Sequence, residues 1–257
     1  MDLQLKGKRV LVTGGSKGIG KACAQVFAEE GASVMIASRD GKALEAAAND
    51  IKTKTGSDVK WKAADLSQRG VAEDLSGWAG DLDILVNNAG AIPGGDLLKV
   101  DETTWRTAWD LKVFGYINLT RAVYARMKAK QRGVVVNVLG NAGEKLNAAY
   151  IAGSTANAGL MAFTRALGGA SHADGIRVLG VSPGPVETDR LLNLYKQMAQ
   201  SKLGDPNRYP ELYAGMAFNR PATSDEIAWT VAFTASDRSS YTTGIYITID
   251  GGLAARS

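Results

Sequence analysis

Short, continuously apolar runs alternate along the chain with longer stretches whose apolar positions recur every three or four residues. The runs predict strands at Arg9–Thr13, Ser33–Ala37, Val59–Ala63, Ile84–Asn87, Val134–Val138, Arg177–Ser182 and Ile245–Ile249. The longer stretches predict helices at Gly18–Glu30, Gly41–Thr53, Gln68–Trp78, Glu102–Ala129, Ala149–His172 and Ser224–Thr234. Thr223, with Glu226 three residues on, has the spacing of a capping box for the last of these. Strands that are apolar throughout are covered on both faces, and alternating strands and helices build a mostly parallel sheet between helix layers. The fold class is therefore α/β, a single-domain doubly wound parallel sheet over residues 1–257 with helices on both faces.

Leu191–Phe218 breaks the rhythm. It holds Tyr195, Met198, Pro206, Tyr209, Pro210, Tyr213 and Met216 without a clear period. Loops at the carboxyl ends of strands shape the ligand crevice in such sheets, so residues 190–218 are read as a substrate lid. A partner contact and a helical excursion packed on the body are the alternatives.

Composition narrows the chemistry. Cys23 is the one cysteine and His172 the one histidine, which excludes an internal disulfide and any cysteine-cluster or multi-histidine metal site. No metal is expected. The net charge of +4 and pI near 9.1 raise the question of nucleic acid. The basic residues are scattered, however, and the densest stretch, Arg121–Arg132, reads as a solvated helix face, so no nucleic-acid partner is expected. No apolar run follows the basic start, and no stretch approaches the roughly 20 apolar residues that span a bilayer. The expectation is a soluble cytoplasmic protein without a membrane partner.

The first strand runs into Thr13-Gly14-Gly15-Ser16-Lys17-Gly18-Ile19-Gly20 and then a helix. Glycines there permit a tight turn and close backbone approach to a diphosphate at the helix N-terminus. Gly14, Ser16, Lys17, Gly18, Ile19 and Gly20 are the candidate cofactor cradle. A P-loop reading fails at Ala22, where a hydroxyl is needed for magnesium. A nucleophile-elbow reading has only His172 as a base. An NAD site expects an acid at the end of the second strand; here stand Ser38 and Arg39, a hydroxyl and a guanidinium suited to a 2′-phosphate. NADP(H) is favoured over NAD(H).

Together with that turn, Asn87-Asn88-Ala89-Gly90, Tyr150, Pro183-Gly184-Pro185-Val186-Glu187-Thr188 and the ending Gly244–Gly252 resemble the classical short-chain dehydrogenase/reductase family. The likeness covers nearly the whole chain. It implies a Rossmann-type sheet of about seven strands, a nicotinamide cofactor, a small-molecule substrate and a homotetramer or dimer. It also implies that Asp65 and Leu66 meet the adenine and that Asn87, Ala89 and Gly90 line the cofactor. Pro183, Gly184, Val186 and Thr188 would lie along the nicotinamide half.

The resemblance gives Tyr150 the role of proton donor and acceptor beside the cofactor. Where the family carries a lysine four residues later stands Ser154; where it carries a serine stands Gly140, beside Asn141; where it carries an asparagine stands Lys112. A charge thus leaves position 154 and another arrives at 112. The candidate catalytic set is Tyr150, Lys112, Ser154 and Asn141, with Lys112 standing in for the absent lysine. Two readings remain open: an NADP(H)-dependent oxidoreductase with a rewired site, and a noncatalytic or weakly catalytic NADP(H)-binding subunit or sensor.

Overall fold

In the first strand, Arg9–Thr13 (β1), Val10 and Val12 face one helix layer and Leu11 the other, all fully buried. The same two-sided burial runs through Ser33–Ser38 (β2), Ile84–Asn87 (β4), Gly133–Val138 (β5) and Ile176–Pro183 (β6). Lys60–Ala63 (β3) and Tyr246–Ile249 (β7) complete the sheet. A computed structural model describes residues 1–256. All seven strands are parallel, in the order β3-β2-β1-β4-β5-β6-β7. The single doubly wound sheet and its strand positions follow the sequence reading to within a residue or so at each end.

One face is covered by Gly18–Glu29 (α1), Gly41–Thr55 (α2) and Ser224–Ala235 (α8). Cys23 is buried in this layer, and burial pushes its thiol up to about 12, far from reactivity. The other face is covered by Val71–Ala79 (α3), the pair Glu102–Trp109 (α4) and Gly115–Ala129 (α5), and Ile151–Ala170 (α6). Asp189–Leu203 (α7) lies outside both layers. The capping box of α8 is present in full, with Thr223 Oγ1 accepting from the Glu226 amide and Glu226 accepting from the Thr223 amide.

Three expectations need correction. The stretch Glu102–Ala129 is not one regular helix: a π-helical turn, Asp110–Phe114, winds an extra residue into it. Val59–Ala63 is not covered on both faces but is an exposed edge, where Lys60 and Lys62 oppose further strand pairing. The disordered rhythm of Leu191–Phe218 conceals α7 and a 3₁₀ segment, Pro206–Gly215. Its apolar stripe, Leu192, Tyr195, Ala199 and Leu203, is fully buried at Ala199 alone, so the helix packs shallowly on the body. Tyr195 and Tyr213 pack at 5.1 Å between ring centroids, and Tyr209 joins them at 5.8 Å. Among the described residues no helix is long and apolar enough to cross a membrane.

Candidate active site

The strand order reverses between β1 and β4, and their carboxyl ends open a crevice of the kind that binds ligands in such sheets. Thr13, fully buried at the end of β1, locks the far wall: its Oγ1 accepts from the amides of Asn88 (2.9 Å) and Ala89 (3.1 Å). Asn88 returns the tie through Nδ2 to the Thr13 carbonyl at 3.1 Å. The glycine turn and the Asn87–Gly90 turn are thereby one rigid unit.

Within it, Gly14 and Gly18 adopt φ of +65° and +54°, which favour glycine. A side chain at Gly20 would strike the Gly14 carbonyl, so glycine there lets α1 seat on the turn. Lys17 precedes α1 without a side-chain cap, and no acid occupies the first turn, leaving the first amides for an anion. Ser16 and Ile19 are half-buried in the turn, and Thr188 lies opposite, with its methyl 3.2 Å from where a Cβ of Gly18 would stand. Thr188 also caps α7, through the Leu191 amide at 3.4 Å.

At the end of β2, the Ser38 hydroxyl is buried without any protein partner, while Arg39 is exposed and outside every ion pair among the described residues. The neighbouring Asp40 is committed to the Ala43 amide as the cap of α2. An orphaned hydroxyl, a free guanidinium and an uncapped helix start fit a phosphorylated dinucleotide. Asp65 braces its own turn through the amide and hydroxyl of Ser67, at 3.1 and 2.7 Å. Leu66 and Val186 bury their side chains in the two cores and offer only backbone to a ligand. Pro183 ends β6, and Gly184 packs on Asp250.

Asn87 corrects the sequence reading. Its side chain is fully buried and donates to Thr120 Oγ1 (3.0 Å) and Asn137 Oδ1 (2.9 Å), while Asn137 donates to Thr164 Oγ1 (2.9 Å). The asparagine therefore ties β4 and β5 to the helix layer, and its side chain does not line the crevice.

Tyr150 immediately precedes α6, and its ring lies across Gly153, where a Cβ would collide with it. The loop after β4 reaches this tyrosine through a short bridge: Gly95 N donates to the Ala149 carbonyl (2.8 Å) and Ile151 N to the Gly95 carbonyl (3.3 Å). Lys112 lies in the π-helical turn. Its stem crosses Gly90, and its ammonium donates to the carbonyls of Val138 (3.4 Å) and Leu139 (3.3 Å) at the end of β5. Burial pushes this amine down to about 8, with the Arg190 charge adding to the effect. Among the described residues no carboxylate pairs with it.

Ser154 and Asn141 are each engaged by other groups. Ser154 is buried, its hydroxyl accepting from the Asn147 amide at 3.1 Å, so it anchors the loop before Tyr150. Asn141 donates to Asp250 Oδ2 at 3.3 Å. Gly140 abuts Asn157, whose Nδ2 is 3.0 Å from the place a Cβ would take. The sequence reading missed Arg190, whose guanidinium lies 6.0 Å from the centre of the Tyr150 ring and donates to the Ile92 carbonyl. Its place two residues after the Pro183–Thr188 motif, at the start of the segment read as a lid, was the clue. Thr13 and Asn88 were visible as motif letters, but their mutual hydrogen bonds were not.

A family model described as short chain dehydrogenase matches residues 8–199. The 3-oxoacyl-(acyl-carrier-protein) reductase FabG of Chlamydia muridarum is 32% identical over 99% of this chain and all of its own length. The crystal structure of L-sorbose reductase from Gluconobacter frateurii, complexed with NADPH and L-sorbose, superposes with a TM-score of 0.92 at 29% identity, covering both chains completely. An NAD+-bound xylitol dehydrogenase structure superposes with a TM-score of 0.87 at 25% identity, covering 97% of this chain and all of the other.

Proposed function

Because this chain belongs to the short chain dehydrogenase family, a family of nicotinamide-dependent oxidoreductases, we propose that it is an NADP(H)-dependent carbonyl reductase with a relocated active-site cation. Tyr150 gives the proton to the substrate oxygen, and the bound nicotinamide supplies the hydride. An isolated phenol, with a pKa of about 10, holds little phenolate at neutral pH. A cation close by stabilises that phenolate as the proton leaves. Lys112 carries the reading: its ammonium, paired with no carboxylate among the described residues, sits between Gly90 and the end of β5, while Arg190, whose charge it feels, lies 6.0 Å from the centre of the Tyr150 ring. The π-helical turn brings it there by adding a residue to the helix. Ser154 and Asn141, both held by other groups, position the loop and the carboxyl-terminal segment and do no proton chemistry.

For NADP(H), the support is the orphaned Ser38 hydroxyl beside the free Arg39 and exposed Lys17, with no acid available at that strand end. The family's shape and the two helices α5 and α6 suit a homotetramer or dimer, and the substrate is a small molecule reached beneath the lid of residues 190–218.

A second reading has its own observation. Position 154 presents a hydroxyl spent on Asn147, and position 140 presents no side chain, so neither offers a group to a substrate. A cofactor-binding subunit without turnover would look the same there. Oxidation of NADPH across ketones, aldehydes, quinones and oxo acids separates the two. Turnover that Tyr150→Phe abolishes is expected; tight NADPH binding without turnover on any class would establish the second reading.

A further inference from the structure

Among the described residues, twelve of the thirty lysine and arginine side chains sit beside carboxylates. Lys21 meets Asp50 at 2.8 Å, Arg208 meets Glu211 at 2.7 Å and Arg220 meets Glu226 at 2.7 Å. Lys112 and Arg190 do not. Among the described residues, Lys112 has the two carbonyls at the end of β5 and the Tyr116 ring, 5.5 Å from its ammonium. Arg190 is exposed and spends one nitrogen on the Ile92 carbonyl, and its other guanidinium nitrogens have no partner among the described residues. The two are close enough for the Arg190 charge to disfavour the charged form of Lys112. Like charges held together without a counter-charge destabilise the free site, and an arriving anion offsets that cost.

The surroundings add a second requirement. Leu194, half exposed, is four residues beyond Arg190 on α7 and so shares its face of the helix. Leu97 and Leu98, 64% and 94% exposed, follow Gly95, which is bridged to Tyr150. An exposed apolar side chain thus shares the helix face of Arg190, and two more stand on the loop that bridges to Tyr150.

We propose that Arg190, in the positive field of Lys112, holds the carboxylate of the substrate, so that the natural substrate is an oxo acid with an apolar body rather than a neutral ketone or ester. This rests on the reductase reading for its chemistry, though not for its binding. The carboxylate is a handle and emerges unchanged. The keto carbon receives the hydride of NADPH, its oxygen takes the Tyr150 proton, solvent reprotonates Tyr150, and the products are a hydroxy acid and NADP+. A guanidinium suits this task because its planar donors match a carboxylate in two places.

The test is calorimetric binding to protein loaded with NADP+, where no hydride is available. The probes are pyruvate, acetoacetate and their medium-chain homologues, each compared with its methyl ester. Acids are expected to bind about tenfold or more tightly than esters, the scale of a charge-assisted hydrogen bond. In Arg190→Gln that ratio should collapse towards one, and Arg190→Lys should restore part of it. Equal binding of acid and ester, or binding of neither, overturns the proposal. So does an Arg190→Gln variant that weakens NADP+ itself while keeping the acid-over-ester ratio, since the guanidinium would then serve the cofactor. NADPH oxidation with the same pairs is read separately. Selective acid binding without oxidation supports the anion site and contradicts only the reductase reading, while esters oxidising NADPH as efficiently as acids contradict the substrate class alone.

Discussion

The stem of Lys112 occupies the space that a side chain at Gly90 would need: a Cβ on Gly90 would stand 2.8 Å from Lys112 Cδ. Glycine in the turn after β4 and lysine in the π-helical turn are therefore one packing unit. Gly90→Ala should push the stem aside and cost about tenfold or more in turnover while the fold persists, because small misplacements at a reacting centre are expensive. Combined with Lys112→Met, it should add little further loss. A double-mutant cycle on kcat checks this, and full additivity would mean that the two residues act apart.

Lys112 also burdens the folded state. Its amine falls from the ordinary lysine value to about 8 on folding, so between that value and about 10.4 the unfolded chain binds the extra proton. Stability attributable to this group therefore rises as pH climbs through that window, and below it the folded protein carries the full cost of the buried charge. Lys112→Met should stabilise the cofactor-free protein at neutral pH by on the order of 1 kcal/mol, though turnover falls. Thermal unfolding at pH 7 and at pH 10 measures it, with the gain expected to shrink at the higher pH.

Cofactor choice depends on the end of β2. Arg39→Ala should weaken NADPH by about ten- to hundredfold and leave NADH nearly unchanged, since a charged hydrogen bond to phosphate is worth about 1.5–3 kcal/mol. Titration calorimetry with both cofactors decides the point. Equal affinity for the two in the unaltered protein would remove the assignment.

Much of the fold was legible because its strands are buried on both faces and so read as unbroken apolar runs. The glycine turn was equally plain, since Gly14 and Gly18 need positive φ and Gly20 needs close packing. What the sequence concealed depends on register and side-chain direction. Asn87 looks like a crevice residue because it ends a strand, yet the pleat turns it inward towards Asn137 and Thr120. Ser154 stands where the family resemblance leads one to expect a lysine, and its short hydroxyl finds a partner in the Asn147 backbone. The π-helical turn left no mark in the pattern of Glu102–Ala129. Arg190 became visible only when α7 was seen to carry it across to Ile92 and Tyr150.

Stability away from the site should follow burial and capping. Phe27 is fully buried between α1 and the sheet, and Phe27→Ala should cost about 3–5 kcal/mol. Thr223→Ala removes half of the capping box and should cost about 1 kcal/mol. Chemical denaturation of both variants would show whether the helix layer or its cap matters more, and the larger loss is expected at Phe27.

The claim that Lys112 supplies the active-site cation is tested most directly by the pH dependence of kcat/KM, which reports groups of the free protein. With the amine at about 8, kcat/KM should fall as pH rises through that value, because the ammonium is lost. Lys112→Arg should move this limb to higher pH, and Lys112→Met should lower turnover at neutral pH by about a hundredfold or more. A Lys112→Met protein that keeps both the rate and the pH profile of the unaltered enzyme would contradict the account.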